Sequence, residues 1–343
     1  MSSQTRVKVV FGAMTFGAAG QEQARVHGLQ DQQAILDVFA KHGHKEVDTA
    51  RVYGNGTSEE NLGRLKASSH FQIATKNFPS RRRPLHKDGA AYDHTAPEVH
   101  RCLADSLKAL QTDCVDLYYL HSPDRDVPFA ETLGALNEEY KAGKFKRLGI
   151  SNYTAQEVEE IIAICEKNGF VKPSVYQGIY NSVVRSPEQP LFPVLRKHGI
   201  AFYAFNPLGG GLYTGNLKWE DSDDKESQEH KIEKGSRFDA NTKQGEMYRK
   251  RYFKKPFFDA LEVLRPAADK HNFSLAEVAL RWMQHHSKLT PDHGDAIIIG
   301  ASSLKHIEQN LLDFEKGPLP QDVLDAVEKA NQLVSEVTPP YHH

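Results

Sequence analysis

The alternation of strand-like and helix-like segments is the feature that most restricts how this chain can fold. Short runs rich in β-branched and aromatic residues are followed by longer stretches whose apolar residues recur at helical spacing, such as Val99, Leu103, Leu107 and Leu110. The predicted strands are 7–11, 45–49, 71–76, 115–120, 145–150, 174–181, 201–206 and 296–300. The predicted helices are 31–42, one from 58, one from 95, 129–142, 155–168, 189–198, 275–286, 304–312 and 321–334.

Eight strand-helix units in one chain predict an α/β fold, the (β/α)8 TIM barrel. Right-handed crossovers with helices on one face close such a parallel sheet at eight strands. A doubly wound open sheet is the alternative, but no Gly-x-Gly-x-x-Gly follows the first strand, where a dinucleotide fold of that kind would carry it. The 343 residues fit one barrel domain, 1–343, with an insertion.

That insertion is the segment 209–255, which interrupts the alternation. It begins with glycines and continues into a charged run through Asp221, Asp223, Lys225, Glu229 and Lys231. Because it follows the seventh strand, we expect it to lie over the mouth of the barrel as a lid and cofactor loop. The stretch 78–94 has no periodicity and is also predicted to be a loop.

Charge and hydropathy argue against nucleic-acid and membrane partners. The chain has 43 Lys and Arg against 45 Asp and Glu, so it lacks the electrostatic footprint of a nucleic-acid or membrane-surface binder. Its mean hydropathy is −0.57, and it has neither an apolar run near 18 residues nor an apolar secretory signal at its start. Three cysteines lack the spacing of a disulfide framework or metal site, which favours a cytoplasmic location.

Polar side chains stand at or just beyond the ends of three predicted strands. Asp48 ends the second strand and Tyr53 lies in the loop after it, Lys76 ends the third strand, and His121 follows the fourth. In a barrel the carboxyl ends of all strands meet at one rim, so we expect these side chains to face one another. A buried carboxylate requires a cation or hydrogen-bond donors, and Lys76 is the predicted partner of Asp48.

These four side chains suit proton transfer to a carbonyl oxygen. A phenol has a pKa of about 10, and we expect the Lys76 ammonium to lower the pKa of Tyr53 by roughly 1–3 units while Asp48 holds that ammonium in place. Tyr53 can then act as general acid, and His121 can donate a second hydrogen bond to the same oxygen. No nucleophile accompanies them, so the pattern points to hydride transfer from a cofactor.

Other interpretations compete with this one. Taken alone, Asp48 and Lys76 are more often a structural ion pair, by roughly two to one, and Tyr53 and His121 are also more often structural. Lys76 could instead be a Schiff-base lysine of an aldolase-like barrel, although Asp48 beside it would keep the amine protonated. The occurrence of all four at strand ends favours the catalytic interpretation.

The chain resembles the aldo-keto reductase superfamily over nearly its whole length. The motifs that carry the resemblance, in the superfamily's order, are Val47-Asp48-Thr49-Ala50 with Tyr53-Gly54, Ala74-Thr75-Lys76, Tyr119-Leu120-His121 and Gly149-Ile150-Ser151-Asn152. The segments 206–215, 235–238, 248–252 and 300–304 further resemble the aflatoxin-aldehyde reductase branch. That branch reduces aldehydes, including dicarbonyls and succinic semialdehyde, with NADPH, and its members often form homodimers.

The resemblance implies a role for each matching residue. Tyr53 would be the proton donor, Asp48 and Lys76 its tuning pair, and His121 the residue that orients the substrate. Ser151, Asn152 and Gln177 would bind the nicotinamide carboxamide, and Tyr203 or a nearby strand-seven aromatic would stack on the ring. The rest of the cofactor would contact Asn206, Pro207, Leu208, Gly209 and Gly211 around the pyrophosphate, and Ser302, Ser303, His306, Gln309 and Asn310 around the adenosine phosphate and adenine.

Two departures bear on cofactor and substrate. Many superfamily members place a Lys-Ser pair and a later Arg around the 2′-phosphate, whereas this chain has Gly300-Ala301-Ser302 with His306; the closer branch also has Gly-x-Ser-Ser, so NADPH is preferred to NADH. The branch tends to end in an Arg near the substrate, whereas this sequence ends Tyr341-His342-His343. Arg237 and Arg251 are therefore the candidates for binding an anionic substrate.

A second function fits the same motifs. The potassium-channel β subunits of this superfamily keep the four-residue set and bind the cofactor as a sensor. A regulatory module of that type would bind cofactor tightly, turn over little and associate with a partner protein. The function predicted first is NADPH-dependent reduction of a small carbonyl substrate, with the regulatory module as the alternative.

Overall fold

A computed structural model describes residues 5–81, 90–219 and 232–343 of the chain. Eight parallel strands form a closed barrel in the order in which they occur in the sequence. The first strand pairs with both the second and the eighth, which closes the ring. The strands are β1 Lys8–Gly12, β2 Glu46–Asp48, β3 Gln72–Asn77, β4 Val115–Leu120, β5 Phe145–Ser151, β6 Pro173–Ile179, β7 Ala201–Phe205 and β8 Ala296–Ile299. The predicted (β/α)8 TIM barrel is confirmed.

Helices follow the strands around the outside of this barrel. They are α1 Leu29–Lys41, α2 Thr57–Arg64, α3 Ala96–Leu110, α4 Phe129–Lys141, α5 Ala155–Asn168, α6 Phe192–Lys197, α7 Lys243–Tyr252, α8 Lys255–Lys270, α9 Leu275–His285, α10 Leu304–Phe314 and α11 Gln321–Val334. Their apolar faces pack against the outward residues of the strands in one continuous core. Within the described ranges, no helix has both the length and the apolar composition needed to cross a bilayer.

Local sequence signals set several helix ends. The Thr154 side chain accepts a hydrogen bond from the Glu157 N–H while the Glu157 side chain returns to the Thr154 N–H, a capping box that starts α5. Gly169 ends the same helix with φ of 65°. The predicted bounds of α5 match the structure because both ends are determined by adjacent residues.

The barrel interior is arranged in layers along its axis. At the end where the strands begin, Lys8, Glu46, Arg147 and Tyr203 form a network of hydrogen bonds and ion pairs. Above it, apolar and aromatic side chains fill the interior, including Tyr119. A β-carbon at Gly149 would lie 2.3 Å from the Tyr119 ring, so this position requires glycine. Because the described lower layers are packed, a site within the barrel interior is expected at the opposite end, where the strands end.

Two helices differ from the sequence prediction. The segment predicted to be a lid, residues 209–255, contains the 3-10 helix Gly209–Thr214 and all of α7, and α8 begins at its last residue, where no element was predicted. The composition of α7 is strongly charged, so its sequence shows no clear apolar stripe. Helix α8 does carry apolar residues at helical spacing, namely Phe257, Leu261, Leu264 and Ala268, with Pro266 in its interior, and it was nevertheless not predicted. The charged run at 221–231 and residues 82–89 of the predicted loop lie outside the described residues.

Candidate active site

The ends of three neighbouring strands bring together the side chains predicted to carry the chemistry. Asp48 is the last residue of β2, Lys76 lies near the end of β3, and His121 directly follows β4. The loop after β2 places the Tyr53 hydroxyl 3.5 Å from the Lys76 Nζ. The rings of Tyr53 and His121 meet edge to face with centroids 5.8 Å apart. The four side chains are therefore neighbours at the mouth of the barrel.

Lys76 and Asp48 form a buried ion pair. Nζ donates to the Asp48 Oδ1 at 2.5 Å and to the main-chain oxygen of Thr49 at 2.7 Å. The other carboxylate oxygen accepts a 2.9 Å hydrogen bond from the Gln177 Nε2. Burial lowers the pKa of Lys76 and raises that of Asp48, while the charge of each partner opposes the shift of the other. An amine engaged in this way is not free to attack a carbonyl, which counts against a Schiff-base lysine.

The expected lowering of the pKa of Tyr53 is wrong for this arrangement. Burial raises the pKa of Tyr53 well above 10, and the Asp48 carboxylate raises it further. Lys76 does not reverse the shift because its charge is balanced by Asp48, which lies closer to Nζ than the phenol does. The Tyr53 phenol is therefore held protonated, which is the form that a general acid needs.

His121 is held as a neutral imidazole. Burial lowers its pKa well below 6.5, and the Lys76 ammonium lowers it further. The main-chain N–H of His121 donates to the main-chain oxygen of Asn77 at 2.8 Å, and its main-chain oxygen accepts from the Asn152 Nδ2 at 2.8 Å. The Phe78 ring packs edge to face against the imidazole. A neutral imidazole has one N–H donor, so His121 can hydrogen-bond a carbonyl oxygen without releasing a proton.

Three polar residues at the ends of β5 and β6 fit a primary carboxamide. The Asn152 Nδ2 donates to the Ser151 Oγ at 3.0 Å, so the Ser151 O–H remains available as a donor. Gln177 uses its Nε2 to bond Asp48, which leaves its oxygen as an acceptor. A hydroxyl donor beside two amide oxygens complements the oxygen and the NH₂ group of a carboxamide. Gln177 also links this set to the Lys76–Asp48 pair, a contact that the sequence did not predict.

Tyr203 lies at the opposite end of the barrel. Its hydroxyl is 3.1 Å from the Lys8 Nζ, 2.9 Å from the Glu46 Oε2 and 3.2 Å from the Arg147 guanidinium, and all three partners belong to the beginnings of strands. Of the two predicted alternatives for the stacking surface, Tyr203 is therefore wrong, and a nearby strand-seven aromatic stays the prediction. Phe205, two residues later on the same face of β7, packs against the barrel interior and is the strand-seven aromatic nearest the mouth.

The glycine loop after β7 has the backbone needed for close approach to a ligand. Asn206 and the glycines at 209, 210 and 211 have positive φ angles, and Pro207 and Leu208 lie between them. The N–H groups of Gly209 and Gly211 donate to the oxygens of Asn206 and Leu208 at 3.0 Å each, so these two amides are already bonded within the loop. No atom lies within 4 Å of the position that a Gly211 β-carbon would take. The pyrophosphate role of this loop stays a prediction.

The predicted adenosine-phosphate residues surround the start of α10. Ser303 is the N-cap, since its Oγ accepts from the His306 N–H at 3.2 Å, and the Ser302 Oγ lies 3.0 Å from the His306 Nδ1. Gln309 donates to the Asp313 side chain at 3.0 Å, one turn further along the helix. Asn310 is buried. Ser302 and His306 therefore lie together at the helix start, whereas Gln309 is bonded away from it.

The segment predicted to be a lid brings cationic side chains to the mouth. Arg237 and Arg251 lie near the ring of Tyr248, with guanidinium carbons 5.6 Å and 5.7 Å from its centroid. Neither forms an ion pair with a carboxylate in residues 5–81, 90–219 or 232–343. Arg237 also approaches Gly300, at the end of β8, to 3.5 Å from the position of a β-carbon there. Arg237 thus faces the predicted phosphate side of the mouth, and Arg251 the other side.

Two residues at this mouth were missed by the sequence prediction. Tyr248 donates to the Asn206 Oδ1 at 3.0 Å and lies close enough to Tyr53 to raise its pKa. Its spacing of three from Arg251 would have placed both on one helical face, had the helix been recognised. His343 lies 2.9 Å from Arg251 through its Nε2, and the irregular segment before it offers no signal of this contact.

Comparisons with known proteins agree with this geometry. The Aldo/keto reductase family model matches residues 8–332. An aldo-keto reductase of Pseudocercospora fijiensis is 46% identical over 308 residues, covering 90% of this chain and 99% of that protein. Human aldo-keto reductase family 7 member A3 is 42% identical, and human aflatoxin B1 aldehyde reductase member 4 is 40% identical, each over 348 residues that cover 99% of this chain and 98% of the relative. The chain therefore belongs to the aldo/keto reductase family.

Proposed function

We propose that this chain reduces aldehydes or ketones to alcohols with NADPH, with Tyr53 as general acid. The observation that carries the proposal is the meeting of Tyr53, Lys76, Asp48 and His121 at one end of the closed barrel. Aldehyde reductases among the relatives support carbonyl reduction as the reaction. NADPH rather than NADH is the finer part of the proposal.

Each side chain has a defined part in this reaction. When bound, the nicotinamide supplies a hydride to the carbonyl carbon. Tyr53 holds a proton at its hydroxyl and releases it to the carbonyl oxygen as negative charge develops there, while His121 donates a hydrogen bond to the same oxygen. Lys76 stabilises the phenolate that remains, and Asp48 keeps the lysine charged and in place.

The cofactor would be held by residues on both sides of the mouth. Ser151, Asn152 and Gln177 would bind the carboxamide, and Phe205 would lie against the ring. The backbone of Asn206, Pro207, Leu208, Gly209 and Gly211 would approach the pyrophosphate. Ser302 and His306, with Ser303, Gln309 and Asn310, would take the adenosine end, and the position of Arg237 beside Gly300 supports a phosphate contact as well as a substrate contact.

The substrate would be a small carbonyl compound that carries negative charge. Arg251 and Arg237 are cations without a carboxylate partner in the described part of the chain, and they lie around Tyr248 near Tyr53. A carboxylate on the substrate would satisfy the Arg251 guanidinium, for which two parallel hydrogen bonds are the favoured geometry. Nucleic acid and membrane are not proposed as partners.

The test is the Tyr53→Phe variant. Removing the hydroxyl should reduce the rate of carbonyl reduction by roughly 10²- to 10⁴-fold, the usual contribution of a general acid, and should leave NADPH binding unchanged. Turnover is followed by the near-ultraviolet absorbance of NADPH with a panel of aldehydes, and NADH is run beside it. A Phe variant with most of the wild-type rate would rule out Tyr53 as the proton donor.

Cofactor binding by the wild-type chain without turnover across the panel would favour the regulatory module instead. We also propose a cytoplasmic location, which three free cysteines support, and a homodimer, which light scattering of the purified chain would test.

A further inference from the structure

The last residues of the sequence lie across the mouth of the barrel and are fixed there. Tyr341 is buried, and its hydroxyl oxygen accepts the N–H of Ala155 at the start of α5 at 3.1 Å. The N–H of His343 donates to the main-chain oxygen of Asn152 at 3.2 Å. The Arg125 guanidinium donates to the main-chain oxygen of His343 at 2.8 Å. These contacts place His343 beside a residue proposed to bind the nicotinamide carboxamide.

The His343 imidazole is directed to Arg251. Its Nε2 lies 2.9 Å from a guanidinium nitrogen of Arg251. A guanidinium has only donors, so the Nε2 must accept and must carry no proton. The contact therefore fixes Arg251 through a group that adds no negative charge to it. A carboxylate in the position of His343 would cancel that charge, and a cation there would repel it.

The pair is close to the reacting end of the site. Arg251 packs near Tyr248, which lies near Tyr53, and His343 is near enough to His121 to act on it electrostatically. A guanidinium here could reach a substrate whose carbonyl oxygen lies between Tyr53 and His121. The anionic group of that substrate would then be a few bonds from the carbonyl.

We propose that His343 is a positioning residue that holds Arg251, through a neutral hydrogen bond, to bind the carboxylate of a short aldehyde acid. The proposal deepens the proposed function and rests on it. The contact of Arg251 with the anionic end of the substrate belongs to the proposed function, and the inference added to it is that His343 fixes that guanidinium without neutralising it.

The test compares two four-carbon aldehydes that differ in one group. Succinic semialdehyde ends in a carboxylate and butanal does not, and both are measured at pH 8. His343→Ala should raise KM for succinic semialdehyde about tenfold, because a hydrogen bond to a charged group is lost, with kcat unchanged and both constants for butanal unchanged. His343→Asp should raise that KM at least as much, because it neutralises Arg251.

His343→Gln should restore the wild-type KM, because a side-chain amide also offers a neutral acceptor. The matched control is Lys250→Gln, which removes an exposed positive charge from the neighbouring position of the same helix and should leave KM for both aldehydes unchanged. Equal effects of the His343 variants on both aldehydes would assign His343 a merely structural role and overturn the proposal.

A second readout does not require turnover. Calorimetry with succinate, in the presence of NADP⁺, should give about tenfold weaker binding to His343→Asp than to wild type and unchanged binding to His343→Gln. Equal succinate affinity in all three proteins would overturn the proposal. A wild-type chain that binds succinate in this ranked order but reduces no aldehyde would contradict the proposed function alone.

Discussion

The effect of the Lys76 ammonium on the pKa of Tyr53 depends on Asp48, the residue that it contacts most closely. Its ammonium donates to Asp48 and Thr49, and the Tyr53 hydroxyl is the most distant of its three oxygen contacts. Gln177 holds the second oxygen of Asp48, so the carboxylate is fixed at both ends. The Lys76–Asp48 pair is expected to contribute both to the stability of the fold and to carbonyl reduction. Two variants can separate these contributions.

Asp48→Asn should cost roughly 3–5 kcal/mol of unfolding free energy, because it leaves the buried Lys76 charge unpaired. The double variant Asp48→Asn/Lys76→Met should recover most of that loss but not the activity, because the methionine side chain cannot stabilise a phenolate. Urea unfolding and NADPH oxidation are measured on both proteins. Substantial carbonyl reduction by the double variant would show that the pair is only structural.

The role of a residue could be predicted where the sequence indicated both the chemistry of its side chain and its position along a strand. The sequence put Asp48, Lys76 and His121 at one rim because parallel strands of a barrel end there. It could not distinguish Tyr203 from Phe205, because both side chains point from β7 into the barrel interior. Only the stagger between neighbouring strands decides which of them lies near the mouth. The pKa of Tyr53 was predicted in the wrong direction because burial depends on the surrounding fold.

The glycine loop after β7 is an element whose shape depends on one close contact. A β-carbon at Gly210 would lie 2.5 Å from the ring of Tyr248, and Gly210 has φ of 71°. Gly143, in the turn before β5, has nearly the same φ of 73° but nothing within 4 Å of a β-carbon. Substitutions at these two glycines can therefore distinguish the effect of backbone strain from the effect of steric contact with α7.

Gly210→Ala should weaken NADPH binding about tenfold, because the methyl group must displace Tyr248 and with it α7. Gly143→Ala is the control: both variants incur the left-handed backbone strain of roughly 1–2 kcal/mol, but only one meets a ring. Binding is measured by quenching of protein fluorescence. The same cofactor affinity in both variants would mean that the loop and α7 do not act together.

Helix prediction succeeded where both ends carried local signals and failed where tertiary contact defines the helix. Thr154, Glu157 and Gly169 mark α5 from the sequence alone. In α7 the buried side chains are Gln244, Tyr248 and Tyr252, spaced by four but mostly polar at their tips. Such a face is recognisable only when the glycine loop that it covers is already known.

The whole molecule contains a buried histidine that links its stability to pH. His94 is buried before α3, its main-chain oxygen accepts from Thr132 at 2.8 Å, and its Nε2 has no hydrogen-bond partner in the described part of the chain. Burial lowers the pKa of His94 to about 4. The folded protein therefore keeps this imidazole neutral at a pH where the unfolded chain would protonate it.

The contribution of His94 to stability is full above the unfolded pKa near 6.5 and is lost as the pH falls towards 4, because protons then bind preferentially to the unfolded chain. Between pH 7 and pH 4.5 this loss is roughly 2.5 kcal/mol. Urea unfolding of His94→Asn at both pH values should show a decrease smaller than that of wild type by this amount. A variant with the same decrease as wild type would exclude His94 as the source.

The pairing of β1 with β8 also governs when this protein can fold during its synthesis. Lys8 pairs with Ala296, nearly the whole length of the chain later. At roughly 5–20 residues per second, a ribosome needs about 15–60 s to deliver β8 after β1 has emerged. During that interval the growing sheet has two open edges, which are templates for pairing with other chains. Closure of the barrel is therefore a late event, which can follow only when nearly the whole chain has been synthesised.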